Sequence, residues 1–408
     1  NEIIGNLIST HPDCVGKWSY KAADTLCEAL TNSDFVVISI LPGTFDEMES
    51  DVHSPEKYGI YQPVGDSTGP GGIIRALRTI PMYVEIANAI KQYCPDAWVI
   101  NYTNPMTLCM QTLYSVFPEI KAFGCCHEVF STQELLLEAL DEEYAIKAKR
   151  SEINVNVLGI NHFTWVNSAS YKNIDLYPAY LRLAEKYKEV GKPLSGEPKD
   201  KPFTCGHLVK FDLLKRFGVI AAAGDRHLAE FCPNTWYLKD PQTVEDYKFS
   251  LTSVAYRKEG LIKRMAKSER LKSGDETVKL EPSGEEGVDQ IKAILGLGDI
   301  VTNVNLPNRG QILNLPLNNI VETNAYFTKD SIQPVAAGNL PATVAPLIAS
   351  HSYNQQLILK AGLEKDLNLA FVAFIKDPLC GTLTLKDAKA LFDTMIDNTK
   401  KYLADYIK

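Results

Sequence analysis

A thiol and an imidazole stand where two apolar runs end. Gly124-Cys125-Cys126-His127 closes the run that begins at Ala122, and Gly159-Ile160-Asn161-His162 closes the alternating run Ile153-Asn154-Val155-Asn156-Val157. A short apolar run reads as a buried strand, and strict alternation as a strand with one buried face. Residues just past the carboxyl ends of strands are where α/β proteins place their chemistry. Thiolate and imidazole are both transition-metal ligands. Taken alone, a Cys and a His this far apart are more often two unrelated core residues, so the neighbouring segments decide.

Three such segments bear on them. Asn101-Tyr102-Thr103-Asn104-Pro105 ends another apolar run and presents two amides and a hydroxyl, in an arrangement that an Asx turn also explains. Gly224-Asp225-Arg226-His227, with Glu230 following, packs ionisable groups between Ala221-Ala222-Ala223 and Phe231-Cys232. That flanking predicts burial and shifted pKa values. Asp66 precedes Thr68-Gly69-Pro70-Gly71-Gly72, a stretch with backbone freedom. Pro70 removes an amide donor, so the stretch reads as a tight turn rather than a phosphate cradle.

The elements that position these residues point to an α/β fold. Apolar runs at Phe35–Leu41, Trp98–Tyr102 and Lys121–Cys126 predict strands buried on both faces of a parallel sheet, and Ile73–Tyr93 predicts a crossover helix. Ser131-Thr132-Gln133-Glu134 predicts a capping box opening a helix at Leu135–Leu140. Together these give a doubly wound, Rossmann-like parallel sheet over residues 1–160. A second α+β domain for substrate and oligomer contacts is expected over 161–408. In that half, Lys188–Pro202 reads as a polar excursion, 203–217 and 242–271 as helical, and Lys272–Gly287 as exposed. Val301–Val321 reads as short strands and turns, and the chain from Pro346 to Lys408 as helical.

Composition sets outer bounds. A net charge of -8 over 408 residues argues against nucleic acid or an anionic membrane as partner. No apolar stretch approaches the roughly 20 residues of a membrane span. Nine cysteines without framework spacing suggest reduced thiols in a cytoplasmic protein. A G-x-G-x-x-G loop after the first strand is absent. Either the chain binds no dinucleotide, or its first strand and loop lie upstream of Asn1.

Read in order, these segments resemble the NAD- and metal-dependent glycosidases of glycoside hydrolase family four. The resemblance is carried by Gly65 to Gly72 with Arg78-Thr79-Ile80, Asn101 to Pro105, Gly124 to His127 and Gly159 to His162. It continues through Gly224 to Glu230 and Gly310 to Pro316 with Val321-Glu322. The wording Cys-Cys-His-Glu and Gly-Asp-Arg-His is most like the α-galacturonidase/α-glucosidase branch. The resemblance places the phosphate loop and the ribose ligand upstream of Asn1.

It also implies a mechanism. NAD takes hydride from carbon-3 of the sugar, the carbon-2 proton becomes acidic, the glycosidic oxygen leaves, and the hydride returns. By motif position, Cys126 and His162 are expected to bind Mn²⁺ or another divalent cation. Asp225 is expected as the carbon-2 base and His127 as the acid on the leaving oxygen. Asn104 and Asn161 would bind the sugar, and Pro42, Gly43 and Asn101 the cofactor. Asp66, His227 and Glu230 would stand behind these groups. The acidic stretch Asp46-Glu47-Met48-Glu49-Ser50-Asp51 would repel a sugar phosphate, favouring an unphosphorylated α-glycoside or α-uronide, with Arg226 and Arg309 as candidate partners for a uronide carboxylate. A homodimer or homotetramer is expected. Two other readings remain: an NAD-dependent hydroxyacid dehydrogenase, and a non-enzymatic sugar- or cofactor-binding protein.

Overall fold

The computed structural model describes residues 2–194, 196, 203–281 and 284–407. Its strands are β1 (Phe35–Ile38), β2 (Trp98–Asn101), β3 (Lys121–Gly124), β4 (Ile153–Ile160) and β5 (Phe163–Tyr171). They continue as β6 (Ile174–Asp175), β7 (Ile220–Ala221), β8 (Ile300–Pro307), β9 (Ile320–Thr328) and β10 (Ser331–Pro334).

β1, β2 and β3 are parallel neighbours. Parallel pairing demands crossovers, and helices Gly69–Tyr93 and Met106–Val116 supply them. The Rossmann-like α/β fold is therefore as expected, but the sheet is mixed. β3 meets β8 antiparallel at Gly124 and Asn305, and β8, β9 and β10 extend the sheet as an antiparallel meander. Val301–Val321, read as short strands and turns, begins in β8, which runs unbroken through Asn303 and Asn305 to Pro307, and ends in β9. Buried on the sheet, the Asn303 amide donates to Glu322 Oε1 (2.7 Å) and to Cys126 O (3.2 Å).

The second sheet is antiparallel, β4 on β5, with β6 and β7 each paired to β5. β4 alternates in burial over Ile153–Val157 and is almost wholly buried beyond it. β1 lies at an edge of its sheet, with Val37 55% exposed, so it is not buried on both faces. The helix after β3 spans Phe130–Tyr144 without a side-chain cap. Ser131–Glu134 thus lie inside it, and the expected capping box does not form; Ser131 Oγ instead donates to Glu128 O (3.1 Å).

The later helical expectations resolve into Leu208–Phe217, Pro241–Asp246 and Val254–Ser273, then Ala345–Glu364, Leu367–Lys376 and Leu385–Thr399. Parts of the polar stretches Lys188–Pro202 and Lys272–Gly287 (195, 197–202, 282–283) lie outside the described residues, as does Lys408.

The main apolar core joins Ile73 and Ile80 of the long helix to Ile160, Phe163 and Trp165 of the β4–β5 hairpin. Phe231, Ile348 and Phe374 complete it from the C-terminal half. This packing presses the hairpin tip against the start of helix Gly69–Tyr93. At that start, Gly69 N–H donates to Asp377 Oδ2 (2.9 Å) and Gly71 N–H to Gln62 Oε1 (2.9 Å). These amides are spent on the protein, as a turn requires, and none is left as a phosphate cradle. A Cβ on Gly72 would lie 2.6 Å from the Ser67 carbonyl carbon, so only glycine lets the loop approach the helix.

The acidic stretch Asp46–Asp51 is not a loop but part of helix Phe45–His53. Its charges are paired. Asp51 accepts from both terminal nitrogens of buried Arg78 (3.0 and 2.5 Å), Glu47 meets Lys401, and Asp46 and Glu49 meet Lys258. The stretch therefore offers little free negative charge to repel a phosphate, and the argument against a sugar phosphate does not hold in that form.

Replacing Asp51 by Ala strands the Arg78 guanidinium in the core. The expected cost is about 3–5 kcal/mol of unfolding free energy. Urea denaturation would check it, and a loss below about 1 kcal/mol would mean the pair contributes no more than a surface one.

Candidate active site

His162 and Asn161 are the two residues that turn β4 into β5, since Ile160 and Phe163 pair directly. The turn needs a left-handed residue, and His162 supplies it at φ 64. This stiff hairpin tip pushes a buried imidazole towards the start of helix Gly69–Tyr93.

There it meets two other groups. Asp66, His162 and His227 bring one ligand atom each within 4.8 Å of one another. The His162 and His227 rings lie 3.7 Å apart between centroids. Ser67 Oγ donates to Asp66 Oδ1 (2.7 Å) and sits 3.1 Å from His162 Nδ1. Asn104 Nδ2 donates to Asp66 Oδ2 (3.3 Å), and Arg75 Nε to Asn104 O (3.1 Å). Burial opposes the charge on Asp66, but His162, His227 and Arg75 hold its carboxyl down at about 2. Burial, reinforced by His227, pushes His162 down to about 3. Burial also works against a charged His227, yet the Glu128 carboxylate 3.4 Å from its Nε2 raises its pKa.

Cys126 lies close enough to Glu128 for that carboxylate to act on its thiol. Its thiol is buried, which pushes its pKa well up, and Glu322 and Glu128 push it further while Asn161 favours the thiolate. Asn161 Nδ2 donates to Glu322 Oε2 (3.0 Å), and Asn303 Nδ2 to Glu322 Oε1 (2.7 Å). Glu128 therefore links the expected ligands, since its charge acts on Cys126 and on His162 alike.

Of the residues read from sequence, the structure brings Cys126, His162, Asp66, His227, Asn104 and Asn161 into one neighbourhood. Asp66 and His227, expected behind the site, stand in the ligand trio itself. Glu230 Oε1 accepts from Val64 N–H (2.7 Å) and Gly65 N–H (2.9 Å), which fixes the loop carrying Asp66.

His127 is the outlier. Its side chain is 63% exposed and its Nδ1 lies 3.0 Å from Glu285. Asn101 is consumed by its own turn, accepting from Tyr83 OH and Thr103 N–H and donating to Thr103 O. Gly43, at φ 89, follows buried Pro42 and the exposed Ile40 and Leu41 beyond β1. Asp225 is fully buried and turned to helix Leu208–Phe217, accepting from Val209 N–H (3.2 Å) and Lys210 N–H (3.1 Å). Burial raises it to about 6 despite the Lys210 ammonium beside it. Asp225 also groups with Cys205 and His207, where that buried ammonium opposes any cation.

Glu128, Arg75 and Glu322 were given no role by sequence. Glu128 and Glu322 at least sat inside the motifs; Arg75, within a long apolar helix, carried no signal at all.

The donor set suits a divalent cation: two imidazoles, a carboxylate and a nearby thiol. Buried His227 Nδ1, Asn104 Oδ1 and Asn161 Oδ1 have no hydrogen-bond partner among the described residues. Orphaned polar atoms of this kind cost folding energy unless a ligand or water meets them. For a nicotinamide cofactor the fitting feature is the exposed apolar surface of Ile40 and Leu41 at the carboxyl end of β1, beside Gly43.

Glu230 titrates at about 7 instead of 4.5, because burial opposes its charge. Between those values the unfolded chain has released the proton and the folded chain retains it, so stability falls as pH rises through that window. Glu230→Gln removes this slope while keeping an acceptor for Val64 and Gly65. Its stability relative to the parent chain should improve by on the order of 1–3 kcal/mol from pH 4.5 to 7. Urea unfolding at both ends of the window measures this; parallel curves would refute it.

The sequence model described as family 4 glycosyl hydrolase matches residues 2–142, and that of the family's C-terminal domain matches residues 157–380. An α-galacturonidase of Thermoanaerobacterium saccharolyticum is 61% identical over 99% of this chain and 87% of its own length. One of Bacillus subtilis is 52% identical over 97% of this chain and 87% of its own. A solved structure described as a Bacillus subtilis glucosidase superposes with a TM-score of 0.91 at 51% identity, over 96% of this chain and 89% of that one. A 6-phospho-α-glucosidase from gut microorganisms, solved with NAD and Mn²⁺, shares the fold at a TM-score of 0.81 and 19% identity, over 98% and 89% of the two chains. The chain belongs to the family 4 glycosyl hydrolases.

Proposed function

We propose that this protein is an NAD- and divalent-metal-dependent α-galacturonidase acting on unphosphorylated α-galacturonides. One observation carries the reading: motif residues far apart in sequence converge on Asp66, His162 and His227, with Cys126 and Glu128 adjoining. The identity to named α-galacturonidases supports the choice of sugar. A hydroxyacid dehydrogenase would have no need of this trio, and a binding protein no need of so many buried ionisable groups.

His162 and Asp66 would hold the cation, with Cys126 adjoining and His227 left uncoordinated beside them, and Pro42 and Gly43 would lie along the cofactor. When bound, these groups supply reversible hydride acceptance at carbon-3 and polarisation of the oxygen there. The chain's own residues position the sugar and handle protons. Asn104 Oδ1 and Asn161 Oδ1, both unpartnered, are acceptors for sugar hydroxyls.

The carbon-2 proton passes to the turn Asp225–His227. Motif position favours Asp225, but both its oxygens serve backbone amides. His227, with a free Nδ1 and Glu128 behind its Nε2, is the better-placed acceptor. His127, at the exposed rim beside Glu285, gives its proton to the leaving oxygen. Water then adds at carbon-1 and the proton returns to carbon-2.

Cytoplasmic residence, a homo-oligomer and a domain boundary near residue 160 belong to the same proposal. All nine cysteines are free thiols, which suits a reducing compartment.

Hydrolysis of p-nitrophenyl α-galacturonide should require both NAD and Mn²⁺ and should cease with chelator. His162→Ala should lower kcat/KM by at least about a hundredfold and weaken Mn²⁺ binding; unchanged activity and Mn²⁺ affinity would refute the metal assignment. Deuterium at carbon-2 should exchange with solvent during turnover. His227→Gln, checked for retained Mn²⁺ binding, should suppress that exchange while Asp225→Asn keeps it. Loss of exchange in Asp225→Asn alone would return the role of base to Asp225, and retained deuterium in the parent enzyme would exclude the elimination route.

A further inference from the structure

Two guanidinium groups stand beside Asp66, His162 and His227 with no carboxylate bound to either among the described residues. Arg226 immediately precedes His227 and is buried. Its Nη1 donates to Thr252 Oγ1, and its guanidinium lies 4.6 Å from the centre of the Phe203 ring.

Arg257 arrives from another element, helix Val254–Ser273. The start of that helix is tied to the other half of the site. Thr252 N–H donates to Pro63 O (3.2 Å), and Val254 N–H to His53 Nε2 (3.2 Å). One turn on, Arg257 has its Nε buried without a hydrogen-bond partner. The charges of Asp66 and Glu230 act on it, and it and Arg226 repel one another. Among the described residues, neither arginine makes an ion pair with an Asp or Glu side chain.

Two like charges, largely removed from water and held together, are costly unless an anion bridges them. A guanidinium presents parallel donors that match a carboxylate in a bidentate fork. Arg226 is fixed by Thr252 and Phe203, whereas Arg257 keeps donors to spend. The second arginine suggested by sequence, Arg309, lines a different cavity with Gln111, Tyr114 and Asn319.

We propose that Arg226 and Arg257 together form the subsite that receives the carboxylate of a uronide, with Arg257 as the residue that sets specificity. The inference rests on the α-galacturonidase reading above and deepens it. The substrate is then held from both ends, its ring hydroxyls towards Asp66, His162 and His227 and its carboxylate between the two arginines.

The test compares the parent enzyme with Arg257→Met and Arg257→Lys on p-nitrophenyl α-galacturonide, on p-nitrophenyl α-galactoside and on the 6-phosphate of that galactoside. Binding of free galacturonate and galactose is titrated in parallel. Arg257→Met should lower kcat/KM for the uronide by about tenfold to a hundredfold, chiefly through KM. Its turnover of the galactoside, and its weak binding of galactose, should not fall.

Arg257→Lys, which keeps the charge but not the fork, should lie between the two. An equal loss on uronide and galactoside would mark Arg257 as structural, and an unchanged KM for the uronide would refute the subsite. Preference of the parent enzyme for the 6-phosphate would make this a phosphate site and overturn the proposal. If the parent enzyme turns over no uronide, the α-galacturonidase reading fails by itself. The subsite then stands or falls on whether Arg257→Met weakens galacturonate binding relative to galactose.

Discussion

Buried carboxylates that accept backbone N–H groups hold this molecule together where it matters. Residues 62–68 form no regular element, yet they carry Asp66 into the centre of the site. Glu230 grips the loop at Val64 and Gly65, and Asp377 grips it at Thr68 and Gly69. Both carboxylates come from the C-terminal half, so the loop is defined only once the two halves have docked. A carboxylate receiving such donors inside a protein is worth more than its surface equivalent, because no water competes for them.

The same constraint explains the electrostatics. Asp66 keeps its charge in a buried position because His162, His227 and Arg75 act on it, while burial and the neighbouring Asp66 push Glu230 up to about 7. Two neighbouring carboxyl groups thus have pKa values pushed apart in opposite directions. That separation is a frequent mark of a catalytic centre. His162 and His227 divide in the same way, His162 forced neutral by burial and His227 kept basic by Glu128.

Rigidity and openness are distributed accordingly. The hairpin tip bearing Asn161 and His162 is locked by the β4–β5 ladder and by the core beneath Phe163. His127 and Glu285, by contrast, face solvent at the rim. Groups that would orient a sugar therefore sit on stiff elements, and the group that would meet a departing alcohol sits where that alcohol can leave.

Much of this was legible in the sequence. Nearly continuous apolar runs marked β2 and β3, alternation marked the start of β4, and the strand ends marked Cys126 and His162, because period and composition follow directly from which faces are buried. What escaped depended on partners distant along the chain. Ser131-Thr132-Gln133-Glu134 has the composition of a helix start, but the helix begins earlier, where packing beneath Val129 and Leu135 carries it past the local signal. The acidic run Asp46–Asp51 looks like an exposed negative surface until Arg78, Lys258 and Lys401 arrive from three other elements to pair with it. Asp225 looks like a base until its oxygens are seen to serve amides of another helix. Arg257 looks like any charge on a solvated helix. The sequence determined which residues have the chemistry; tertiary structure decided which of them are free to use it, since a partner's presence depends on three-dimensional proximity that no local pattern encodes.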